Sequence, residues 1–274
     1  MPTPVLRSVH IHPVKAMRAL ACAEAEVRPW GPAGDRRWAV VDAAGRVVTQ
    51  RRRPRMALAS AEPAPDGGIV LSAPGRPALA VGVPRPSATV TVDIFDQRVE
   101  AVPAGPAAAD WLSAYLEGDF GLVHMDAPEH RRPVDPEYAR PGETVSFADG
   151  YPLLATTTAS LDALNSLIAR GDHAGEGPLP MDRFRPNLVI GGTAPWAEDG
   201  WRRIAVGEVV LRVARPSGRC VVTTTDQSTA GRGKEPLHTL ARHRRSDGRV
   251  LFGQNLVPER TGTVRVGDPV EILD

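Results

Sequence analysis

Cys220 is the residue of this 274-residue chain that is best suited to covalent or metal chemistry. It follows Gly218 and Arg219 and leads into an apolar run. A neighbouring cation favours the thiolate, which is the form of cysteine that acts as a nucleophile and as a soft-metal ligand. The alternative is a buried cysteine that packs as a small apolar side chain. The residues alone leave both roles open and favour the second.

Several cationic side chains could bind a phosphate or another anion. Lys15 is one of only two lysines among 33 basic residues, and it comes directly after a predicted strand. Arg36 and Arg37 begin a predicted hairpin and should point to opposite faces, so one of them could enter a groove. Arg185 offers a planar fork for phosphate or carboxylate, and Asn187 can hydrogen bond in two directions. For each of these groups the alternative is an ordinary surface or turn residue.

A run of hydroxyl side chains at 156–160 marks the start of a predicted helix. Thr157 and Thr158, together with the free amides of a helix start, are candidates for an anion site. The alternative is that the run caps the helix, which is the favoured role for Ser160.

The composition is that of an ordinary globular protein, with 42% hydrophobic and 24% charged residues. The net charge of +1 gives no general drive toward nucleic acid or a membrane surface, so neither is expected as a partner. Two cysteines are too few for a disulfide framework, no stretch is apolar enough to span a bilayer, and the N-terminus has no signal-peptide pattern. These features predict a cytoplasmic protein.

Short alternating segments separated by Pro and Gly turns predict a mainly β (α+β) fold with a few short helices. Apolar stripes at helical spacing follow Pro106 and Ser160, and Ser160 is expected to cap the second of these helices. Among the predicted strands are 144–147 and 219–224.

A charged segment rich in proline, residues 126–142, is predicted to be a linker or long loop. It divides the chain into two predicted domains, 1–125 and 126–274.

Ten short motifs in a fixed order cover nearly the whole chain. In the first half they are His-Pro-Val-Lys at 12–15, Ala-Glu-Ala-Glu-Val at 23–27, Gly-Asp-Arg-Arg-Trp at 34–38 and Val-Thr-Gln-Arg at 48–51. In the second half they are Ala-Ser-Leu at 159–161, Arg-Phe-Arg-Pro-Asn-Leu-Val at 183–189, Arg-Cys-Val-Val-Thr-Thr at 219–224, Lys-Glu-Pro-Leu at 234–237, Phe-Gly-Gln-Asn at 252–255 and Gly-Asp-Pro-Val at 267–270. Together they resemble the MOSC-domain proteins (molybdenum-cofactor sulfurase C-terminal domain) that carry an N-terminal MOSC β-barrel domain. That group includes the mitochondrial amidoxime-reducing component and its bacterial relatives.

The resemblance implies a β-barrel-like N-terminal domain packed on a MOSC β-barrel core, with molybdenum cofactor (Mo-molybdopterin) in the cleft between them. By motif position Cys220 would be the catalytic thiolate on molybdenum. The pterin and its phosphate would be bound by Lys15, Arg36 and Arg185. Further hydrogen bonds would come from Asn187, Thr157, Thr158 and Arg219.

The implied activity is the reduction of N-hydroxylated compounds such as amidoximes, hydroxylamines and N-hydroxylated bases. The sequence lacks the cysteines of the ferredoxin-like domain that some relatives append, and it lacks the membrane anchor of the mitochondrial members. Electrons are therefore expected from a separate protein of the ferredoxin, flavin reductase or cytochrome type. Two alternatives stay open, a non-redox carrier or sulfur-transfer protein for molybdenum cofactor and a plain interaction module with a vestigial site.

Overall fold

The computed structural model describes residues 3–86 and 88–274 of the chain. Over these residues the protein is mainly β, as predicted, with nineteen strands and four α-helices. The helices are α1 (Pro106–Leu116), α2 (Pro128–Arg131), α3 (Thr158–Ile168) and α4 (Leu237–His243).

The strands form four sheets. The largest contains β1 (Val5–Ile11), β2 (Leu20–Cys22), β12 (Leu153–Thr157), β13 (Leu188–Gly191), β14 (Arg203–Val206), β15 (Val209–Gly218), β16 (Arg245–Ser246), β17 (Arg249–Arg260) and β19 (Val270–Ile272). The three smaller sheets contain β3 (Glu24–Arg28), β4 (Gly31–Pro32), β5 (Trp38–Asp42), β6 (Ser60–Pro63), β7 (Ile69–Ala73), β8 (Arg76–Val81), β9 (Val90–Ile94), β10 (Gln97–Pro103), β11 (Phe120–His124) and β18 (Gly262–Arg265).

Strand pairing crosses the predicted division of the chain. The order in the largest sheet is β19-β14-β15-β17-β12-β13-β1-β2, with β16 paired to β17. Strand β1 is antiparallel to β13, with Val9 opposite Leu188, so the first 22 residues contribute two strands to a sheet built mostly from the second half. In the same way, β18 of the second half pairs with β3 of the first half. The boundary between residues 125 and 126 stays a prediction.

Two large clusters of buried apolar residues form most of the core of the protein. The cluster of the first half includes Trp38 and the stripe of α1, in which Trp111, Leu112 and Tyr115 are buried at the predicted helical spacing. The second cluster is built mostly from strands of the largest sheet, and it combines Leu6 and Val9 of the first half with Leu188 of the second. These cores fix the ends of β1, β13 and β15, which carry the candidate site residues.

Two predicted strands are wrong. Residues 144–147 form no strand, and the only pairing there is an isolated bridge between Pro133 and Thr144. Residues Val221–Thr224 form a turn of 3-10 helix. Thr223 Oγ1 donates to the Cys220 carbonyl at 2.9 Å and Thr224 Oγ1 donates to the Val221 carbonyl at 2.9 Å, so the hydroxyls stabilise a tight turn in a segment whose β-branched residues are typical of a strand.

Candidate functional site

A cleft of about 460 Å³ lies where the two halves of the chain meet. Lys15 and Arg36 line it from the first half, and Arg185, Asn187, Arg219 and Cys220 line it from the second. Seven cationic side chains and only two carboxylates line this cleft, although the whole chain has a net charge of +1. The cations are Lys15, Arg36, Arg51, Arg185, Arg215, Arg219 and Arg249. The cleft is therefore suited to an anionic ligand.

Lys15 is held just beyond β1, where its amide donates to the carbonyl of Trp38 at 2.8 Å. Its side chain is 4% exposed, and Nζ donates to the Phe147 carbonyl at 2.7 Å and to Asp149 Oδ1 at 2.5 Å. Burial lowers the pKa of Lys15 to about 8 in spite of the neighbouring carboxylate. Partial loss of water around Asp149 opposes it, but the side chain is 77% exposed, and the charges of Lys15 and Arg36 hold the pKa of Asp149 well below its usual range.

Arg36 and Asn187 join the two halves at the cleft wall. The Arg36 guanidinium donates to Asp35 at 2.6 Å, to Asn187 Oδ1 at 3.0 Å and to the Arg185 carbonyl at 3.2 Å. The Asn187 amide donates in turn to the His10 carbonyl at 3.0 Å. Most of the polar atoms of this pair are thus engaged within the protein, so we assign them mainly to positioning.

Arg185 is a cleft cation that no carboxylate compensates among the described residues. Its neighbour Arg183 pairs with Asp226 at 3.0 Å, whereas Arg185 has no carboxylate within 4.0 Å in the part of the chain that the structure describes. Its Nη2 atom is enclosed and lacks a hydrogen-bond partner there, while Nη1 reaches Gln227 Oε1 at 3.4 Å. Burial lowers the pKa of Arg185 to about 9, and the positive charge of Arg36 adds to that effect. A half-buried cation that lacks a carboxylate partner is destabilising, and an anion in the cleft would compensate its charge and bond the free Nη2 atom.

Cys220 lies in the same cleft wall, between the end of β15 and the 3-10 turn, as a free and half-buried thiol. The preceding Arg219 is fixed by hydrogen bonds to Ser217 Oγ at 2.9 Å and to the Phe184 carbonyl at 2.7 Å. Arg51 contacts Cys220 from the other half of the chain, and although burial opposes it, this contact raises the pKa of Arg51. Two arginines, Arg219 and Arg51, therefore line the cleft together with the thiol.

The structure does not bring Thr157 and Thr158 to the cleft. Thr157, not Ser160, is the N-cap of α3, and its hydroxyl oxygen accepts from the Ser160 amide at 3.1 Å. The Ser160 hydroxyl donates to Glu198 Oε2 at 2.8 Å, and Thr157 Oγ1 lies 3.2 Å from the same oxygen. A carboxylate of the protein itself thus occupies the helix start that the sequence offered as an anion site, so neither threonine enters the proposed site.

Glu198→Ala is expected to lower the free energy of unfolding by about 1–3 kcal/mol, because two buried hydroxyls lose their acceptor. Its affinity for sulfate should equal that of the wild type, since the helix start is not the anion site. Denaturant unfolding and calorimetric titration with sulfate measure the two quantities, and Glu62→Ala at an exposed position is the control. A large loss of sulfate affinity in Glu198→Ala would show that the start of α3 is part of the anion site.

Sequence reasoning missed several side chains that line the cleft, among them Arg51, Phe95, Asp149 and Arg215. Arg51 ends a motif that carried the family resemblance, so a signal for it was present. Asp149 follows the proline-rich segment, and nothing in its neighbourhood predicts that it meets Lys15 from 134 positions away.

The comparisons with known proteins agree with this architecture. Residues 3–119 match the MOSC N-terminal beta barrel domain, and residues 142–271 match the MOSC domain. The chain is 32% identical to mitochondrial amidoxime-reducing component 1 of Xenopus laevis over 287 residues, which covers 97% of this chain and 81% of the relative. It is 33% identical to mitochondrial amidoxime-reducing component 1 of Homo sapiens over 283 residues, which covers 96% of this chain and 81% of the relative.

A third relative has a different name. Molybdenum cofactor sulfurase of Oryza sativa subsp. japonica is 29% identical over 267 residues, which covers 90% of this chain and 32% of that protein. The fold and the cleft together define a mainly β protein whose two halves exchange strands. Between the halves lies a cationic cleft that contains a free thiol. The chain belongs to the MOSC-domain family and carries the N-terminal MOSC domain, which confirms the resemblance seen in its motifs.

Among the residues described, no helix combines the length and the apolar character that a membrane crossing requires.

Proposed function

We propose that this protein binds molybdenum cofactor in the cationic cleft and reduces N-hydroxylated compounds. The observation that carries the proposal is the meeting of a free thiol, Cys220, with an uncompensated cation, Arg185, in one cleft. A sulfur-rich metal centre suits a thiolate ligand, and a phosphate tail suits Arg and Lys donors. The names of the amidoxime-reducing relatives support the same substrate class.

Each residue has a distinct part in the proposed site. Cys220 would hold the metal, and Arg185, Lys15 and Arg219 would face the negative charges of the pterin and its phosphate. Arg36 completes the positive wall while it ties the halves together. When bound, the cofactor supplies a two-electron redox centre.

The overall reaction balances as R–NHOH plus two electrons and two protons giving R–NH2 and water. The N–O bond breaks, and the nitrogen is reduced. We propose a separate protein of the ferredoxin, flavin reductase or cytochrome type as donor, since two cysteines are fewer than a four-cysteine iron–sulfur cluster needs. A cytoplasmic site of action is part of the proposal and rests on the sequence features given above.

Turnover of benzamidoxime to benzamidine, with reduced methyl viologen as the electron donor, tests the proposed reaction. The wild-type protein, purified with its molybdenum, should form benzamidine in multiple turnovers. A protein fully loaded with molybdenum that reduces neither benzamidoxime nor hydroxylamine would contradict the reductase function.

A carrier or sulfur-transfer function is the second candidate. The observation that favours it is that the Cys220 thiol is half-exposed at the wall of an open cleft, where a second protein could reach it. The relative named molybdenum cofactor sulfurase supports it too. Transfer of bound cofactor into a cofactor-free molybdenum enzyme, with no turnover by this protein itself, would decide for the carrier.

The pKa of Lys15 gives the site a measurable pH dependence. A lysine with a pKa of about 8 is mostly charged at pH 7 and mostly neutral at pH 8.5, so sulfate should bind the cofactor-free protein more weakly at the higher pH, by about fourfold. Sulfate is the probe because its own charge does not change over this range.

Calorimetric titration at the two pH values measures the change in sulfate affinity. Lys15→Arg should remove most of the pH dependence because arginine stays charged, whereas Lys234→Met, at the exposed second lysine, should behave as the wild type. Sulfate affinity that is the same at pH 7 and pH 8.5 in the wild type would exclude Lys15 from the anion site.

A further inference from the structure

Phe95 is an aromatic side chain in an unusual position. It lies at the tip of the hairpin formed by β9 and β10, where Ile94 is paired with Gln97, and it lines the same cleft as Cys220. The chain has thirteen Phe, Trp and Tyr residues, all within the described ranges, and Phe95 is the one that is exposed, at 47%. Core packing therefore does not explain why a phenyl ring is there.

The backbone at Phe95 disfavours a phenylalanine. Its φ is +52°, in the left-handed region where a bulky side chain is strained. The comparable two-residue hairpin loop between β16 and β17 uses Asp247 and Gly248, with φ of 48° and 72°, which are residues that such loops prefer. A strained, exposed aromatic at the edge of a cleft is typical of a functional position.

The surroundings of the ring place it near the reacting end of the cleft. Lys15 Nζ lies 5.3 Å and Arg51 Cζ lies 5.5 Å from the ring centroid. Arg51, Phe95 and Cys220 all line the same cleft. A molecule bound beside Cys220 would therefore meet the ring of Phe95.

We propose that Phe95 is a specificity-determining residue whose ring stacks on flat, uncharged N-hydroxylated substrates. The inference rests on the proposed reductase function and assigns its substrate preference. An aromatic ring offers a planar contact to an aryl amidoxime and little to a small aliphatic one. The excess of cations in the cleft selects against substrates that carry a positive charge.

The test compares benzamidoxime with acetamidoxime, using reduced methyl viologen as donor. Phe95→Ala and Phe95→Asn should raise KM for benzamidoxime about tenfold, with kcat little changed, because the stacking contact is lost. For acetamidoxime both variants should stay within about twofold of the wild type. Arg98→Ala, on the same hairpin with an 80% exposed side chain and outside the cleft, is the control.

Thermal stability provides a second readout, which should increase in a variant whose binding of the aryl substrate decreases. Phe95→Asn should raise Tm, since asparagine tolerates the left-handed conformation, while it weakens binding of the aryl substrate. Direct binding can be followed in the oxidised holoenzyme of Phe95→Trp, whose emission should respond to benzamidoxime and not to acetamidoxime.

Two results would overturn the inference in different ways. Equal changes in KM for the two substrates, or none for either, would show that Phe95 does not select substrates while leaving the reductase function in place. Wild-type protein that is loaded with molybdenum and reduces neither substrate would remove the proposed function and this inference with it.

Discussion

Replacing Cys220 with alanine is expected to lower the rate of benzamidoxime reduction on the order of 1000-fold. Loss of a residue that merely supports a metal ligand costs about 10–100-fold, so loss of the ligand itself should cost more. The side chain is half-buried and belongs to none of the apolar clusters, so the fold should survive its truncation.

Cys22→Ala is the matched control for this prediction. Cys22 is also free and half-buried, but it lies on β2 and does not line the cleft. The control variant should keep wild-type turnover and wild-type molybdenum content. Initial rates with reduced methyl viologen, together with thermal unfolding curves of both variants, measure the effect. A Cys220→Ala protein that retains more than a tenth of the wild-type rate would show that the thiol is not the metal ligand.

Arg185→Gln is expected to have two effects of opposite sign. In the loaded protein the cofactor should dissociate on the order of 100-fold faster, because a buried charge-assisted contact of about 3 kcal/mol is lost. In the cofactor-free protein the same change should raise the free energy of unfolding by about 1 kcal/mol, because an uncompensated buried cation is removed.

The pH dependence of stability follows from the same residue. The folded protein holds the pKa of Arg185 at about 9, below the value in the unfolded chain, so the unfolded state binds more protons only above pH 9. Arg185 therefore destabilises the cofactor-free fold below pH 9, and this penalty is relieved as the pH rises above 9. The gain in stability of Arg185→Gln should be largest near neutral pH.

Gel filtration of the loaded protein, followed by pterin fluorescence over time, measures the rate of cofactor loss. Denaturant unfolding of the cofactor-free protein measures the stability. Arg170→Gln, at an exposed arginine that has no carboxylate within 4.0 Å among the described residues, should change neither quantity. Unchanged cofactor retention in Arg185→Gln would place the phosphate elsewhere in the cleft.

Much of the fold was predictable because it depends on local patterns. The stripe of α1 and the alternation in β9 are period signals, and the structure has a helix and a strand there. The family motifs pointed to six of the side chains that meet in the cleft. Each motif is a short continuous segment, so it can be recognised in the sequence without knowing how the chain packs.

The two failures have different physical causes, one local and one that depends on a distant residue. The segment after Cys220 has strand-forming residues, yet Thr223 and Thr224 bond back to the chain and close a turn. The helix start at Thr157 has the chemistry of an anion site, yet Glu198 fills it from about forty positions away. The Glu198 contact has no signal in the residues beside the helix start.

The charge balance of the cleft could not be predicted either, because it depends on contacts between residues that are distant in the sequence. Arginines are so frequent in this chain that no single one predicts a site. Arg183 and Arg185 look alike in sequence, but among the described residues only Arg183 meets a carboxylate. The lack of a carboxylate beside Arg185, which identifies it as a candidate ligand residue, is visible only in the folded structure.

Molybdenum and pterin content is the most direct measurement of the central claim, that this cleft binds molybdenum cofactor. The protein should be purified from a host that makes the cofactor, and analysed by elemental analysis and by fluorescence of the released pterin. We expect close to one molybdenum and one pterin per chain in the wild type and in Cys22→Ala, and loss of molybdenum in Cys220→Ala. A folded wild-type protein that contains neither metal nor pterin would contradict the claim.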